Sequence, residues 1–289
     1  MRNISLILVS IIFIFGLIGN LLIIMVLRYE QSLRPFTKML MVFQAIFDVS
    51  ALMSSYFQIL AFVKFDLYLL IKFEIRMIIN YLLSLSMDMS SWVICLLNID
   101  RMCLILWPTN RLIRRLSYKE ACIIIAIMVV CSTIINVGQY FKGASLKIIS
   151  TKITLACQTI IPFLLISCSS IIILYKLRKY SKQINPNSNS NSNMLRSSIL
   201  AIKMIIVVSI YHLIVLLFAF VMFLYLQGLD ANFPALVLSE VGLLLTISNY
   251  SIKFYLYNLS TPHMRRELVR IFHSMKIGIM SKINDASHG

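Results

Sequence analysis

Charge is scarce in this chain. Asp, Glu, Lys and Arg make up 13% of its 289 residues, where a soluble domain carries about 25%. With 60% hydrophobic residues and a mean hydropathy of +0.87, it lacks the polar surface a soluble enzyme needs. Disorder is excluded for the same reason, except locally. Paired cysteines are missing too. None of Cys95, Cys103, Cys122, Cys131, Cys157 and Cys168 stands in a CxxC. This disfavours a metal centre or a disulfide scaffold. No HExxH, GxSxG, Walker loop or GxGxxG after a strand occurs, and His212, His263, His273 and His288 are scattered, so neither an enzyme nor a cofactor is indicated. The short alternating segments of a transmembrane barrel and the internal repeats of many transporters are likewise absent.

What is present is a series of long apolar blocks. A helix needs about 20 apolar residues to cross the hydrocarbon core. Seven blocks meet that need: 4–27, 39–63, 77–100, 121–141, 153–175, 199–226 and 233–257. The first runs past the apolar length of a signal peptide and has no small-residue cleavage site, so it reads as a retained span. The net charge of +16 is sorted by side. With the amino terminus outside, segments 28–38, 110–120, 176–203 and 258–289 place 18 Lys and Arg within, against 7 outside. That bias sets the amino terminus out and the carboxyl terminus in. It also explains the basic balance without nucleic acid. The longest polar stretch, Lys176–Arg196, holds an Asn/Ser tract at 185–193 that reads as a mobile linker.

Polar residues inside the blocks need partners, because a charge in the bilayer costs roughly 2.5–3.5 kcal/mol. Asp48, Asp88, Asp100 with Arg101, Glu240 and Lys253 are the charged ones; Asn20, Ser90 and Asn249 are neutral. Arg101 is either a snorkelling residue that ends its span or part of a switch. Asp88 and Glu240, with Gln158, either line a ligand cavity or are buried against neighbouring polar groups.

In order, one motif per span, the chain resembles the rhodopsin-like (class A) G-protein-coupled receptors. Gly16-Leu17-Ile18-Gly19-Asn20 is similar to the glycine-asparagine motif of the first span, and Asp48 stands where the second keeps an aspartate. Asp100-Arg101-Met102 resembles Asp-Arg-Tyr, with Pro108 at the usual distance beyond. Pro162 lies in the fifth span. Asn249 to Tyr257 is similar to a degenerate Asn-Pro-x-x-Tyr, with Lys253 for Asn, Phe254 for Pro and Tyr257 kept. Several family features are missing: the cysteine at the outer end of the third span, the fourth-span Trp and the sixth-span Trp-x-Pro, where Leu216 and Phe218 align with His212 one turn inward.

The resemblance implies a seven-transmembrane all-α bundle over 1–258. A short amphipathic eighth helix and tail would follow over 259–289, with Met264, Leu268, Ile271 and Phe272 opposite Arg265, Arg266 and Arg270. It implies a plasma-membrane receptor, multi-pass, that couples an extracellular ligand to a heterotrimeric G protein. In that reading Asp100 holds Arg101 when idle, and Asp100, Arg101, Met102, Pro108 and Tyr257 form the coupling end. Asn20, Asp48, Ser90, Asn249 and Lys253 form a polar network. The family's aspartate takes a sodium ion; here Asp48 pairs with Lys253, binds sodium or packs otherwise. Leu83 replaces the aminergic aspartate, which disfavours a monoamine, and the seventh-span pattern is most similar to invertebrate neuropeptide receptors, so a peptide ligand is expected. Lys142, Lys147 and Lys152 in the second outer loop favour acidic ligand groups or reflect solvation. Asn3 is a formal glycosylation acceptor that abuts the first span. A small transporter or channel, and a receptor that binds without signalling, are the alternatives.

Overall fold

The computed structural model describes residues 2–29, 33–63, 73–137, 153, 156–183, 205–218, 221, 233–260, 265–270 and 273. Water is absent from hydrocarbon, so the backbone must satisfy its own hydrogen bonds, and an apolar chain does so as helix. The long helices are α1 (Arg2–Tyr29), α2 (Pro35–Val63), α3 (Phe73–Leu106), α4 (Tyr118–Val137), α5 (Ile161–Gln183), α6 (Ile205–Phe218) and α7 (Phe233–Ser260). No strand occurs among the described residues. This is a seven-transmembrane helix bundle.

Local chemistry sets several boundaries. Pro35 opens α2, a position where its missing N–H costs nothing. Ser117 caps α4: its backbone N–H donates to Glu120 Oε2 at 2.8 Å, and its hydroxyl meets the same carboxylate. Pro162 has no N–H for the Gln158 carbonyl. Immediately before it, the backbone opens into a π turn at Ala156–Ile160.

Two helices outrun their apolar blocks. α3 reaches Leu106, six residues past the expected end at 100. α5 runs to Gln183 rather than 175, so residues 176–183, the first part of the polar stretch, are helical. Beyond the hydrocarbon, Lys, Arg and Gln remain good helix formers, and apolarity no longer marks the end. The Asn/Ser tract lies outside the described residues, as do Asn3's side chain and Lys142, Lys147 and Lys152.

α3 is the central helix; it packs on α2, α4 and α5, while α2 and α7 close on α1. Gly16 and Gly19 admit α7 closely: a Cβ on Gly19 would stand 3.1 Å from Phe254 Cβ. Ile7, Ile11, Ile14, Ile18 and Leu21 form an exposed apolar stripe at helical spacing, suited to lipid. Residues 265–270 are helical, and Leu268 rests on the main core cluster, while Arg270 lies 3.9 Å from Glu267.

Candidate functional site

At mid-bundle, α2, α3 and α7 bring together Asp48, Ser90 and Lys253. Lys253 Nζ donates to both Asp48 oxygens, at 2.7 and 2.8 Å, and to Ser90 Oγ at 2.9 Å. Ser90 donates to Asp48 Oδ1 at 2.7 Å. Gln44, one turn before Asp48, donates to Asp48 Oδ1 at 3.0 Å and to Ser90 Oγ at 2.7 Å. Asp48, Ser90 and Lys253 have no exposed surface. The Lys253 ammonium also stands over the Tyr250 ring, 5.4 Å from Nζ to the centroid. The cluster is neutral overall, and the ammonium fills the space beside the carboxylate.

The other two members of the expected network lie elsewhere. Asn20 donates to the carbonyls of Gly16 and Tyr250, both at 2.9 Å, and so ties α1 to α7. Asn249 turns to α6, where its Nδ2 lies 3.0 Å from His212 Nδ1. An amide one turn before Lys253 points along a face about 40° away, enough to give it a different neighbour.

The end of the bundle that the basic bias assigns to the cytoplasm departs from expectation. Asp100 makes no ion pair with Arg101. Arg34 Nη1 holds Asp100 Oδ1 at 3.1 Å, and Thr37 donates to Oδ2 at 2.9 Å. Arg34 Nη2 also donates to the Ile113 carbonyl at 2.6 Å, which clasps the Arg111–Arg115 helix to α2 and α3. The physical reason is competition: the Arg34 guanidinium and the Thr37 hydroxyl occupy the two Asp100 oxygens in charge-assisted hydrogen bonds, so the carboxylate turns towards the start of α2 and not to Arg101. Arg101 is half-buried, and its Nε has no hydrogen-bond partner among the described residues. Met102 packs against Ile173 and Ile206 of α5 and α6; Pro108 sits in an exposed turn; Tyr257 is buried in the core.

Asp88 and Gln158 also meet, through residues not singled out in the sequence. Asn136 of α4 donates to Asp88 Oδ2 at 2.6 Å, and Ser84 donates to Asn136 Oδ1 at 2.6 Å. Gln158, on the π turn, donates to Ser84 Oγ at 3.0 Å. Glu240 lies on α7, but its side chain is outside the described residues. Asn98 is a second unforeseen link: it donates to Ser209 of α6 at 2.7 Å and accepts from Ser170 of α5 at 3.5 Å. A neutral amide inside an apolar run is a usable signal for both Asn98 and Asn136, since burial without a partner is costly.

No curated protein matches the chain. A family model, described as serpentine type 7TM GPCR chemoreceptor Srsx, matches residues 13–272. That range takes in α1 from residue 13, the whole of α2 to α7, the Asp48–Lys253 cluster and the Asp100-Arg101 end. The chain is therefore a G-protein-coupled receptor for an extracellular ligand and not an enzyme, and it belongs to the serpentine 7TM chemoreceptor family Srsx.

Proposed function

We propose that this receptor stands in the plasma membrane with its amino terminus outside. It passes the binding of a peptide ligand to a heterotrimeric G protein through Arg101. The domain over 1–258 carries both sites, and 259–289 lies along the inner surface as an amphipathic helix and tail. The reading is carried by the basic end of the bundle, where Asp100 is held by Arg34 and Thr37 and makes no ion pair with Arg101. Met102, Pro108 and Tyr257 frame that end. The ligand enters between the outer halves of α3, α5, α6 and α7. The likeness of the seventh span to invertebrate neuropeptide receptors supports a peptide, and Lys142, Lys147 and Lys152 suit acidic groups on it.

The test is guanine-nucleotide exchange on G proteins in membranes that hold the full chain, measured alone and against a peptide panel. Exchange above that of membranes without the receptor supports coupling, and further stimulation by a peptide supports the ligand class. A receptor that binds without signalling is favoured by one observation: α6 is an unbroken helix over Ile205–Phe218 with no proline to kink it. In that case peptides bind but exchange stays at background.

A further inference from the structure

The polar cluster around Asp88 has an imbalance that names its ligand. Asn136 Nδ2 uses its two hydrogens on Asp88 Oδ2 at 2.6 Å and on the Ser132 carbonyl at 2.9 Å. The Ser84 hydroxyl gives its hydrogen to Asn136 Oδ1. The Gln158 amide directs its hydrogens to Ser84 Oγ at 3.0 Å and, at 3.4 Å, to Asn136 Oδ1. Every donor is then engaged. What remains is Asp88 Oδ1, fully buried and without a hydrogen-bond partner among the described residues. No ion pair reaches Asp88 among them either. A buried carboxylate needs a cation and more donors than this cluster supplies. The missing component is a positively charged donor, which no anion, ketone or ester provides.

The number of acceptors narrows the class. If the Gln158 amide moves aside, it frees one acceptor site on Ser84 Oγ and one on Asn136 Oδ1. With Asp88 Oδ1 these make three, the number of hydrogens on a primary ammonium. Gln158 is suited to yield. It is half-buried, and it sits on the π turn, whose wider backbone ring is less well bonded than an α-helical one. We infer that Asp88, Ser84 and Asn136 form a primary-ammonium site, occupied in the unliganded chain by the Gln158 amide. The absence of an aspartate at Leu83 does not bear on it. Leu83 packs on the opposite side, with Ala51, Leu52 and Tyr250, whereas Asp88 faces α4 and the π turn.

The inference rests on the reading of the chain as a receptor whose ligand enters between the helices, and it deepens that reading by giving the chemistry of the ligand's charged group. A small alkyl amine and the free amino terminus of a peptide share this chemistry. The experiment measures the thermal unfolding midpoint of the purified full chain. n-Butylammonium should raise the midpoint of the wild type by about 3 °C or more at saturation. N-butylacetamide, of similar shape but uncharged, should leave it unchanged. Asp88→Asn should fold and ignore the amine. Gln158→Lys tethers an ammonium in place, so it should raise the midpoint with no ligand added, and Asp88→Asn in the same chain should remove that gain. A tripeptide amide with a free amino terminus that outperforms n-butylammonium, and loses its effect on acetylation, identifies the peptide source; the reverse order identifies the small amine. The inference is overturned if Gln158→Lys lowers the midpoint equally with Asp88 and with Asn at 88. It is also overturned if wild type and Asp88→Asn unfold alike and both ignore n-butylammonium, in which case Asp88 carries its own proton. Nucleotide exchange separates the two levels. Intact basal exchange with no amine response sinks this inference alone, whereas an amine response with no exchange sinks the coupling.

Discussion

Lys253 commits all three of its ammonium hydrogens to two residues: Asp48 takes two, at 2.7 and 2.8 Å, and Ser90 takes the third at 2.9 Å. Neither charge has another counter-ion within reach among the described residues. Removing one partner of a buried pair leaves the other uncompensated, at about 3–5 kcal/mol, whereas removing both can be close to neutral. Lys253→Met and Asp48→Asn should each lower folding yield and unfolding midpoint sharply. The double variant should recover most of the loss. Additive losses in a thermal-melt cycle would show that the two act independently.

The same ammonium occupies the place beside Asp48 that a metal cation would need. Exchange of sodium chloride for choline chloride should therefore leave the melting midpoint of the wild type unchanged. In Lys253→Asn the carboxylate is vacated, and sodium should then stabilise the chain measurably. A sodium response in the wild type would show that Lys253 does not hold the site.

At the basic end, Arg34 keeps Asp100 away from Arg101. Arg101→Ala should abolish nucleotide exchange while ligand-induced stabilisation persists. Arg34→Gln frees Asp100 to turn to its neighbour, so basal exchange should fall about fivefold or more, the equivalent of roughly 1 kcal/mol in the balance between states. Unchanged or increased basal exchange in Arg34→Gln would mean that the clasp on Asp100 does not restrain it from Arg101.

Gly16 is a point of close approach between α1 and α7. A Cβ there would lie inside contact distance of Ser251 Oγ and 2.7 Å from Leu52 Cδ1. Gly16→Ala should cost about 1–3 kcal/mol through overpacking. Gly19→Ala meets Phe254 Cβ at 3.1 Å and should cost less. The order of the two melting midpoints checks the assignment.

Orientation is tested by tags. An amino-terminal epitope should label on intact cells, and a carboxyl-terminal one only after permeabilisation. Equal labelling at both ends would contradict the topology read from the basic residues.

The bundle was legible because apolar length is a strong signal where the solvent is lipid. α1, α2 and α4 follow their blocks closely. The ends of α3 and α5 were not, since helix continues past the hydrocarbon on polar residues that carry no hydropathy mark. Charged groups inside spans announced that they needed partners, and Asp48 and Lys253 bear opposite signs. Arg34 carried no such announcement: in sequence it is one more basic loop residue, and its hold on Asp100 depends on which way each helix face turns. The π turn at 156–160 is a matter of backbone register, which residue types express only through the nearby Pro162. Asn136 and Asn98 are neutral and sit in runs of aliphatic residues, so attention to charge passed over them.

The separation of 205 residues between Asp48 and Lys253 has a consequence for biosynthesis. At about 5–20 residues per second, the ribosome needs roughly 10–40 s to make the lysine after the aspartate has emerged. For that interval α2 sits in or beside the translocon without its counter-ion. Gln44 is on the same helix and available at once, and Ser90 arrives 42 residues later. Until α7 is made, these two are the donors open to the carboxylate, and the ion pair closes only when Lys253 arrives.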